Sequence, residues 1–248
     1  MKYVLALADG TEVEVVEGQD VSDLLNIKRW VAEISAELAG EVKGMFPSFI
    51  PKTDQERVQN LVKEIATAAA GGLHFEITEK LEGSSMTVYL IDGEFGVCSR
   101  NLDLKETEGN TFWQVARHDD IEDKMRIAGL NNFAIQGELI GPGIQGNIYR
   151  LSKPEFRVFD VYNIQAGAYL VPHERRALIK VLGLLHVPVM VVDKDLGVGS
   201  VEEILLWAEA MSVMGDITGP EREGIVFKEA RGGMTFKAIS NKYLLGEK

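Results

Sequence analysis

Between the Gly71-Gly72 pair and Ser99 the chain carries three short runs rich in β-branched or aromatic residues: His74 to Thr78, Ser85 to Ile91 and Glu94 to Ser99, parted by glycine-containing turns such as Asp92-Gly93. Runs of this length and type favour strands. Turns this short join neighbouring strands in antiparallel order, so the stretch predicts an antiparallel meander. Further strands are expected at Asn132 to Ile140, Phe156 to Asn163, Ile225 to Lys228 and Met234 to Ile239. Helical patterns lie between these clusters. Thr53 with Glu56 reads as a capping box ahead of Val58, Leu61, Val62, Ile65 and Ala69 at helical spacing, and Gly71 ends that run. Residues 111–129 and Pro172 to Leu182 read as helices, and Ser200 with Glu203 caps another that runs to about Met214. Strands that cluster, without alternating strictly with helices, predict an α+β fold with largely antiparallel sheets and flanking helices.

The 248 residues are 46% hydrophobic and 26% charged, the profile of a globular chain able to build one large core. One cysteine, Cys98, excludes an intramolecular disulfide and a cysteine zinc cluster, and fits a reducing compartment, so a cytoplasmic location is expected. The start, MKYVLALADG, lacks a signal-peptide core, and eighteen apolar residues nowhere run together, so no membrane association is expected. Tyr3 to Val16 reads as a hairpin, YVLAL and EVEVV, turning at Ala8-Asp9-Gly10-Thr11. Phe46-Pro47-Ser48-Phe49-Ile50-Pro51 reads as an extended linker. A boundary near residue 40 therefore divides an N-terminal hairpin segment, 1–40, from a main domain, 41–248. The formal net charge of -12 argues against coating nucleic acid through bulk electrostatics. Residues 222–248 nevertheless hold Arg222, Lys228, Arg231, Lys237, Lys242 and Lys248 against three acids, which suits a phosphate-facing site. A monomer is the default expectation.

Several patterns lead nowhere. Gly141-Pro142-Gly143-Ile144-Gln145-Gly146 matches the dinucleotide-binding GxGxxG, but no helix follows to hold a pyrophosphate, so it reads as a connection between strands. His74, His118, His173 and His186 show no ligand spacing and read as structural. Asp119, Asp120, Glu122 and Asp123 read as a solvated helix face.

Lys80 stands out, at a strand-to-turn junction after the apolar run Leu73 to Ile77, in Glu79-Lys80-Leu81-Glu82-Gly83. From here the chain resembles the covalent nucleotidyltransferases, which comprise ATP-dependent RNA and DNA ligases and mRNA capping enzymes. Lys80 to Gly83 is similar to their nucleophile motif KxDG, and Ser99-Arg100-Asn101 to the short motif that follows. Phe133 to Leu139 resembles the strand with a central glutamate, and Phe156 to Val161 the strand whose phenylalanine stacks on the base. Glu223 to Lys228 resembles EGxVxK, and Phe236 to Lys242 the terminal lysine motif. The six stand in the family's order over residues 80–242. The lead-in Phe46 to Asp54, with Arg57 after it, and the stretch Gly137 to Asn147 are most similar to RNA ligases with an N-terminal OB module. About forty residues precede the lead-in, too few for a five-stranded OB barrel, so the hairpin is expected to be its remnant and an OB-type partner module is an expected complement. Two more departures are Glu82, where the family usually has aspartate, and Thr235, where many relatives have a second lysine.

The resemblance implies an adenylation domain of ligase and capping-enzyme type that works through Lys80. Its acceptor would be RNA with 3′-hydroxyl and 5′-phosphate ends, its nucleotide ATP, and its metal Mg²⁺ or Mn²⁺. Attack by a lysine on a phosphate needs the neutral amine, present in only about four molecules in ten thousand at pH 7 for an ordinary lysine. Neighbouring positive charge favours that form, and Lys228, Lys237 and the metal are expected to supply it. By the same resemblance Glu138 and Glu223 hold metal, and Glu138 also contacts the ribose. Arg100 contacts the ribose or α-phosphate side, and Phe159 stacks on adenine. Glu79, or the backbone beside it, reads the adenine amino group, and Arg57 meets the departing pyrophosphate. A DNA ligase or capping guanylyltransferase is the alternative among enzymes. A nucleotide- or RNA-binding module without turnover is the alternative outside them, against which the joint presence of Lys80, Glu138, Glu223 and Lys237 speaks, since binding alone needs no nucleophile.

Overall fold

The structure, a computed structural model, describes residues 2–7, 10–27, 40–197, 200–214 and 219–246. Its contacts separate two units, Met1–Ala36 and Glu37–Lys248. In the first, β1 (Lys2–Ala6) and β2 (Glu12–Val16) pair antiparallel from Lys2 opposite Val16 to Ala6 opposite Glu12. Ala8 and Asp9 of the expected turn lie outside the described residues.

The second unit begins with β3 (Val42–Met45) and β4 (Glu56–Arg57), then a single 3₁₀ turn and α1 (Val62–Ala70). The expected capping box is not formed. Leu61 precedes the helix without a side-chain cap, because Glu56 and Arg57 are drawn away as a strand. The Glu56 carboxylate accepts instead from Asn60 Nδ2 and the Arg57 amide. After α1 come β5 (His74–Lys80), β6 (Ser84–Ile91), β7 (Glu94–Cys98) and β8 (Leu102–Leu104). The helical stretch 111–129 is two helices, α2 (Thr111–His118) and α3 (Ile121–Ile127), broken where Asp120 takes a left-handed φ of 51°. Next are β9 (Phe133–Ile140), β10 (Glu155–Asn163), β11 (Ala168–Tyr169) and α4 (Pro172–Leu182). Proline at its start and left-handed Gly183 at its end give α4 the bounds the sequence predicts. The chain then forms β12 (Leu185–His186), β13 (Val189–Asp195), α5 (Val201–Ala208), β14 (Gly224–Glu229), β15 (Thr235–Ile239) and α6 (Asn241–Leu245). Ser200 Oγ accepts from the Glu203 amide as expected, but α5 ends at Ala208, not near Met214. Beyond it the chain leaves the helix: Met211 bridges Glu221, the Ser212 amide donates to the Pro220 carbonyl, and Ser212 Oγ and the Val213 amide donate to Glu79.

Two sheets carry these strands. One runs β11-β10-β9-β6-β7-β8-β3, with β12 also on β10; the other runs β13-β5-β14-β15-β4. Most pairings are antiparallel, and the parallel ones are β10 with β12 and β15 with β4. The three runs read as a meander are therefore split. β6 and β7 form a hairpin, but β5 belongs to the other sheet, and the chain crosses between sheets at Leu81-Glu82-Gly83. Gly83 permits the crossing. A Cβ there would stand 2.5 Å from the Leu139 carbonyl oxygen. No helix among the described residues is long and apolar enough to cross a membrane.

Each sheet has its own core. Trp113, Ile121, Met125 and Ile179 from α2, α3 and α4 cover Val88, Ile135, Leu139, Phe156 and Val158 of the larger sheet. On the smaller sheet α1 and α5 cover Phe75, Ile77, Ile225, Phe227, Phe236 and Ala238. Phe227 and Phe236 stack with centroids 4.6 Å apart, and Phe75 meets Phe236 edge-on at 5.7 Å. Because strand side chains alternate, this core leaves Glu76, Thr78 and Lys80 of β5, Val226 and Lys228 of β14, and Lys237 of β15 on the opposite face. Replacing Phe236 by alanine should cost about 3–5 kcal/mol, the range for a large aromatic removed from a filled core; urea unfolding of the full chain checks this.

Candidate active site

Between the sheets lies a cavity of about 560 Å³. The smaller sheet contributes Thr78, Glu79, Lys80, Val226, Lys228 and Lys237, and the larger one Ser84, Ser85, Glu138 and Phe159. The connections add Asp54, Arg100, Glu223 and Tyr243. Eight of the nine residues singled out from the sequence thus share one wall or another of this space. Arg57 does not line it; it is exposed on β4, in register with Lys237.

Lys80 is the last residue of β5 and stands opposite Gly224 of β14. That register brings Glu223 alongside, and Lys80 Nζ donates to Glu223 Oε1 at 2.6 Å. Gly224 has no room for a side chain, since a Cβ would lie 2.2 Å from the Ala238 carbonyl oxygen. Close packing of β14 on β15 therefore fixes the carboxylate that meets Lys80. Lys237 is held below the ordinary lysine range by burial first, then by the positive charge of Lys80, with Arg57 and Arg100 adding to it against Asp54. The cations expected near the nucleophile are assembled, although Lys228 is turned to other partners.

Glu138 lies on β9 between Ser85 of β6 and Arg157 of β10. Burial pushes its carboxyl up to about 7, Glu223 adds to the rise, and Lys80 and Arg100 oppose it. Burial, more than its neighbours' charges, therefore disfavours the ionised form of Glu138. Among the described residues no cluster of three or more His, Cys, Asp or Glu side chains forms a complete metal cage. Two carboxylates facing a cavity nevertheless suit Mg²⁺ or Mn²⁺, which bind through one or two carboxylates and complete their shell with phosphate oxygens and water.

Phe159 sits where β10 slips register, between Val158 and Asp160. Val158 and Val161 are both fully buried in the core, so the bulge turns two consecutive side chains, Phe159 and Asp160, away from it. Lys228 Nζ pairs with Asp160 Oδ1 at 2.5 Å, donates to the Phe159 carbonyl at 2.7 Å and lies 5.5 Å from the Phe159 ring centre. Burial lowers Lys228 to about 8, with Arg175 lowering it further and Asp160 opposing. Arg100 is exposed and bound to Asp54 Oδ1 at 2.6 Å. Glu79 lines the cavity, but its carboxylate is committed to Ser212 Oγ and the Val213 amide, and its own amide to the Pro188 carbonyl.

Some site residues carry no role in the sequence reading. Asp160 and Asp54 stand inside stretches that resemble the family, but their partners, Lys228 and Arg100, lie far away along the chain. Tyr243 follows Lys242 on α6, a helix signalled by Ser240, whose Oγ caps it, and by left-handed Gly246. Its hydroxyl is held un-ionised by burial and by Glu223 and Glu82.

Residues 73–243 match the RNA ligase family. The chain is similar to Naegleria gruberi RNA ligase in an apo aspartate-to-alanine variant, with 44% identity and a TM-score of 0.78 over 92% of this chain and 67% of that one. A lysine-to-alanine variant of that ligase with ATP and Mn gives 39% identity and 0.78 over 99% and 75%. The same ligase with PPi gives 40% and 0.78 over 99% and 76%. No curated protein matches the chain. With the matched span running through the cavity walls from Lys80 to Tyr243, the chain belongs to the RNA ligase family.

Proposed function

We infer that the protein is an ATP-dependent RNA ligase that joins 3′-hydroxyl and 5′-phosphate ends through a lysyl-AMP on Lys80. The observation that carries this is the placement of Lys80 Nζ on Glu223, inside a cavity that also gathers Lys228, Lys237, Arg100 and Glu138. Family membership and the likeness to a ligase solved with ATP and Mn support it.

Lys80 Nζ attacks the α-phosphorus of ATP; a P–N bond forms, and the bond from that phosphorus to the bridging oxygen breaks to release pyrophosphate. Glu223 accepts an N–H of Nζ and so orients the amine's lone pair into the cavity. AMP then passes from nitrogen to the oxygen of an RNA 5′-phosphate, and the 3′-hydroxyl displaces AMP to form the phosphodiester. Phosphoryl transfer depends mainly on positioning and on charge held against the phosphates, and Lys237, Lys228 and Arg100 are placed to supply that charge. Arg100 leaves Asp54 to do so. Glu138 and Glu223 would hold Mg²⁺ or Mn²⁺, which neutralises phosphate charge when bound. Phe159 offers a face for the base. With the Glu79 carboxylate committed elsewhere, its backbone carbonyl is the group left to read the adenine amino group.

Incubation with ATP and Mg²⁺ or Mn²⁺ should add one AMP to the intact mass of the full chain, GTP should add nothing, and Lys80→Ala should abolish the adduct. An adduct surviving in Lys80→Ala would overturn the assignment.

Glu138→Gln should also block adduct formation while making the protein more stable at pH 7.5. A carboxyl raised from about 4.5 to about 7 lowers stability increasingly as pH rises through that range, because the unfolded chain ionises first, and the loss vanishes only below about pH 4. The melting temperature should rise by several degrees at pH 7.5, where a shift of this size is worth roughly 3 kcal/mol, and by almost nothing at pH 3.5. Thermal melts at the two pH values check it.

A further inference from the structure

Behind the Phe159 wall lies a buried set of charges drawn from strands of both sheets and from α4. Arg175, fully buried on α4, donates through Nη2 to Glu76 Oε1 and through Nε to His186 Nε2 at 3.0 Å, and its Nη1 stands 3.6 Å from Asp160 Oδ1. Arg176 Nη1 pairs with Glu76 Oε2, and Asp160 pairs with Lys228. Lys228 and Glu76 are opposite one another in the pairing of β14 with β5. Burial and the Arg175 charge lower His186 to about 4, and its Nδ1 lies 2.6 Å from the Val187 carbonyl, so it is neutral, donating at Nδ1 and accepting at Nε2. The set then holds two acids, Glu76 and Asp160, against three cations, Arg175, Arg176 and Lys228. One positive charge is left for an anion in the cavity.

None of the stretches that resemble the family contains Arg175, Arg176, Glu76 or His186. The guanidinium fork alone reaches β5, β10 and β12 together, and a bulged strand needs something to fix the two side chains it turns outward. We propose that Arg175 is a positioning residue for the transfer reaction: its fork holds Asp160 against Glu76 and thereby fixes Lys228 and Phe159 on the cavity wall for the anionic nucleotide. This rests on the adenylation at Lys80 inferred above.

A structural role and a positioning role separate by pH. The groups facing Lys228 are Asp160 and the Phe159 carbonyl on β10, Arg175 and Arg176 on α4, His186 on β12 and Glu76 on β5. Arg175 disfavours the charged form of Lys228, and Asp160 favours it. Removing the guanidinium charge therefore extends protonated Lys228 to higher pH, whereas general damage lowers activity without that shift. The test measures the single-turnover rate of lysyl-AMP formation and the KM for ATP from pH 6 to 10 in the full-length protein, Arg175→Met and Arg175→Lys, with melting temperatures alongside. Arg175→Met should slow the step by about 10- to 100-fold, the scale of a small misplacement at a reacting centre, and move the alkaline limb upward. Arg175→Lys retains the charge but not the fork; it should slow the step less and leave the limb in place, which keeps the test decisive where the methionine variant does not fold. Folded variants with the unsubstituted rate, or a rate loss in Arg175→Met with no shift of the limb, would overturn the positioning role. Absence of any lysyl-AMP in the unsubstituted protein would instead overturn the ligase reading beneath it.

Discussion

The alternation of β5 governs where everything else lies. Phe75 and Ile77 enter the core beneath α1 and α5, while Glu76, Thr78 and Lys80 face the space between the sheets. The strand is paired on both edges, by β13 and β14, so it has no freedom to slide. A slip of one residue would drive Glu76 and Lys80 into the phenylalanine cluster and turn Phe75 toward charge, and burying unpaired ions costs far more than any local gain. The nucleophile is thus placed by a core it does not touch. Gly83 completes the arrangement by letting the chain leave one sheet for the other within three residues of Lys80.

A chain of net charge -12 has no general attraction for phosphate. Attraction is created locally by three neighbouring strands and one loop, which bring Lys80, Lys228, Lys237 and Arg100 to one cavity. Acids are placed among them with distinct partners: Glu223 on Lys80, Asp160 on Lys228, Asp54 on Arg100. Pairing keeps the cations tolerable in the free protein and leaves each within reach of an incoming phosphate. Bulk charge and site charge are therefore independent quantities here.

Patterns whose partners are adjacent in sequence were legible. The strands expected at Ile225 to Lys228 and Met234 to Ile239 are found with bounds within a residue or so, and the ends of α4 follow from Pro172 and Gly183. Readings failed where a distant partner decides. Thr53 and Glu56 have capping-box spacing, yet Glu56 and Arg57 gain more by pairing with β15. Leu81-Glu82-Gly83 has the composition of a hairpin turn, and only the pairing of β5 with β14 shows it to be a crossover. Residues beyond Ala208 keep a helical look, but Glu79, more than 130 positions earlier in the chain, claims Ser212 and Val213. The Glu76–Arg175 pair spans 99 positions and has no local signature at all. Residue types for the chemistry were thus readable, while the contacts that aim them were not.

The two interiors of this domain answer different demands. Buried ion pairs are seldom a source of stability, since well-packed apolar residues of similar volume commonly do as well or better. Lys228, Asp160, Arg175 and Glu76 occupy such positions, as does Glu138 with its raised carboxyl. Their cost is offset on the far faces of the same strands by Phe75, Phe227 and Phe236, so each of β5 and β14 carries a stabilising face and a functional face back to back. This coupling makes the charged interior stiff. A side chain such as Lys228 cannot relax toward solvent without dragging a strand whose other side is locked in aromatic packing, and stiffness of that kind keeps charges in place before the phosphate arrives.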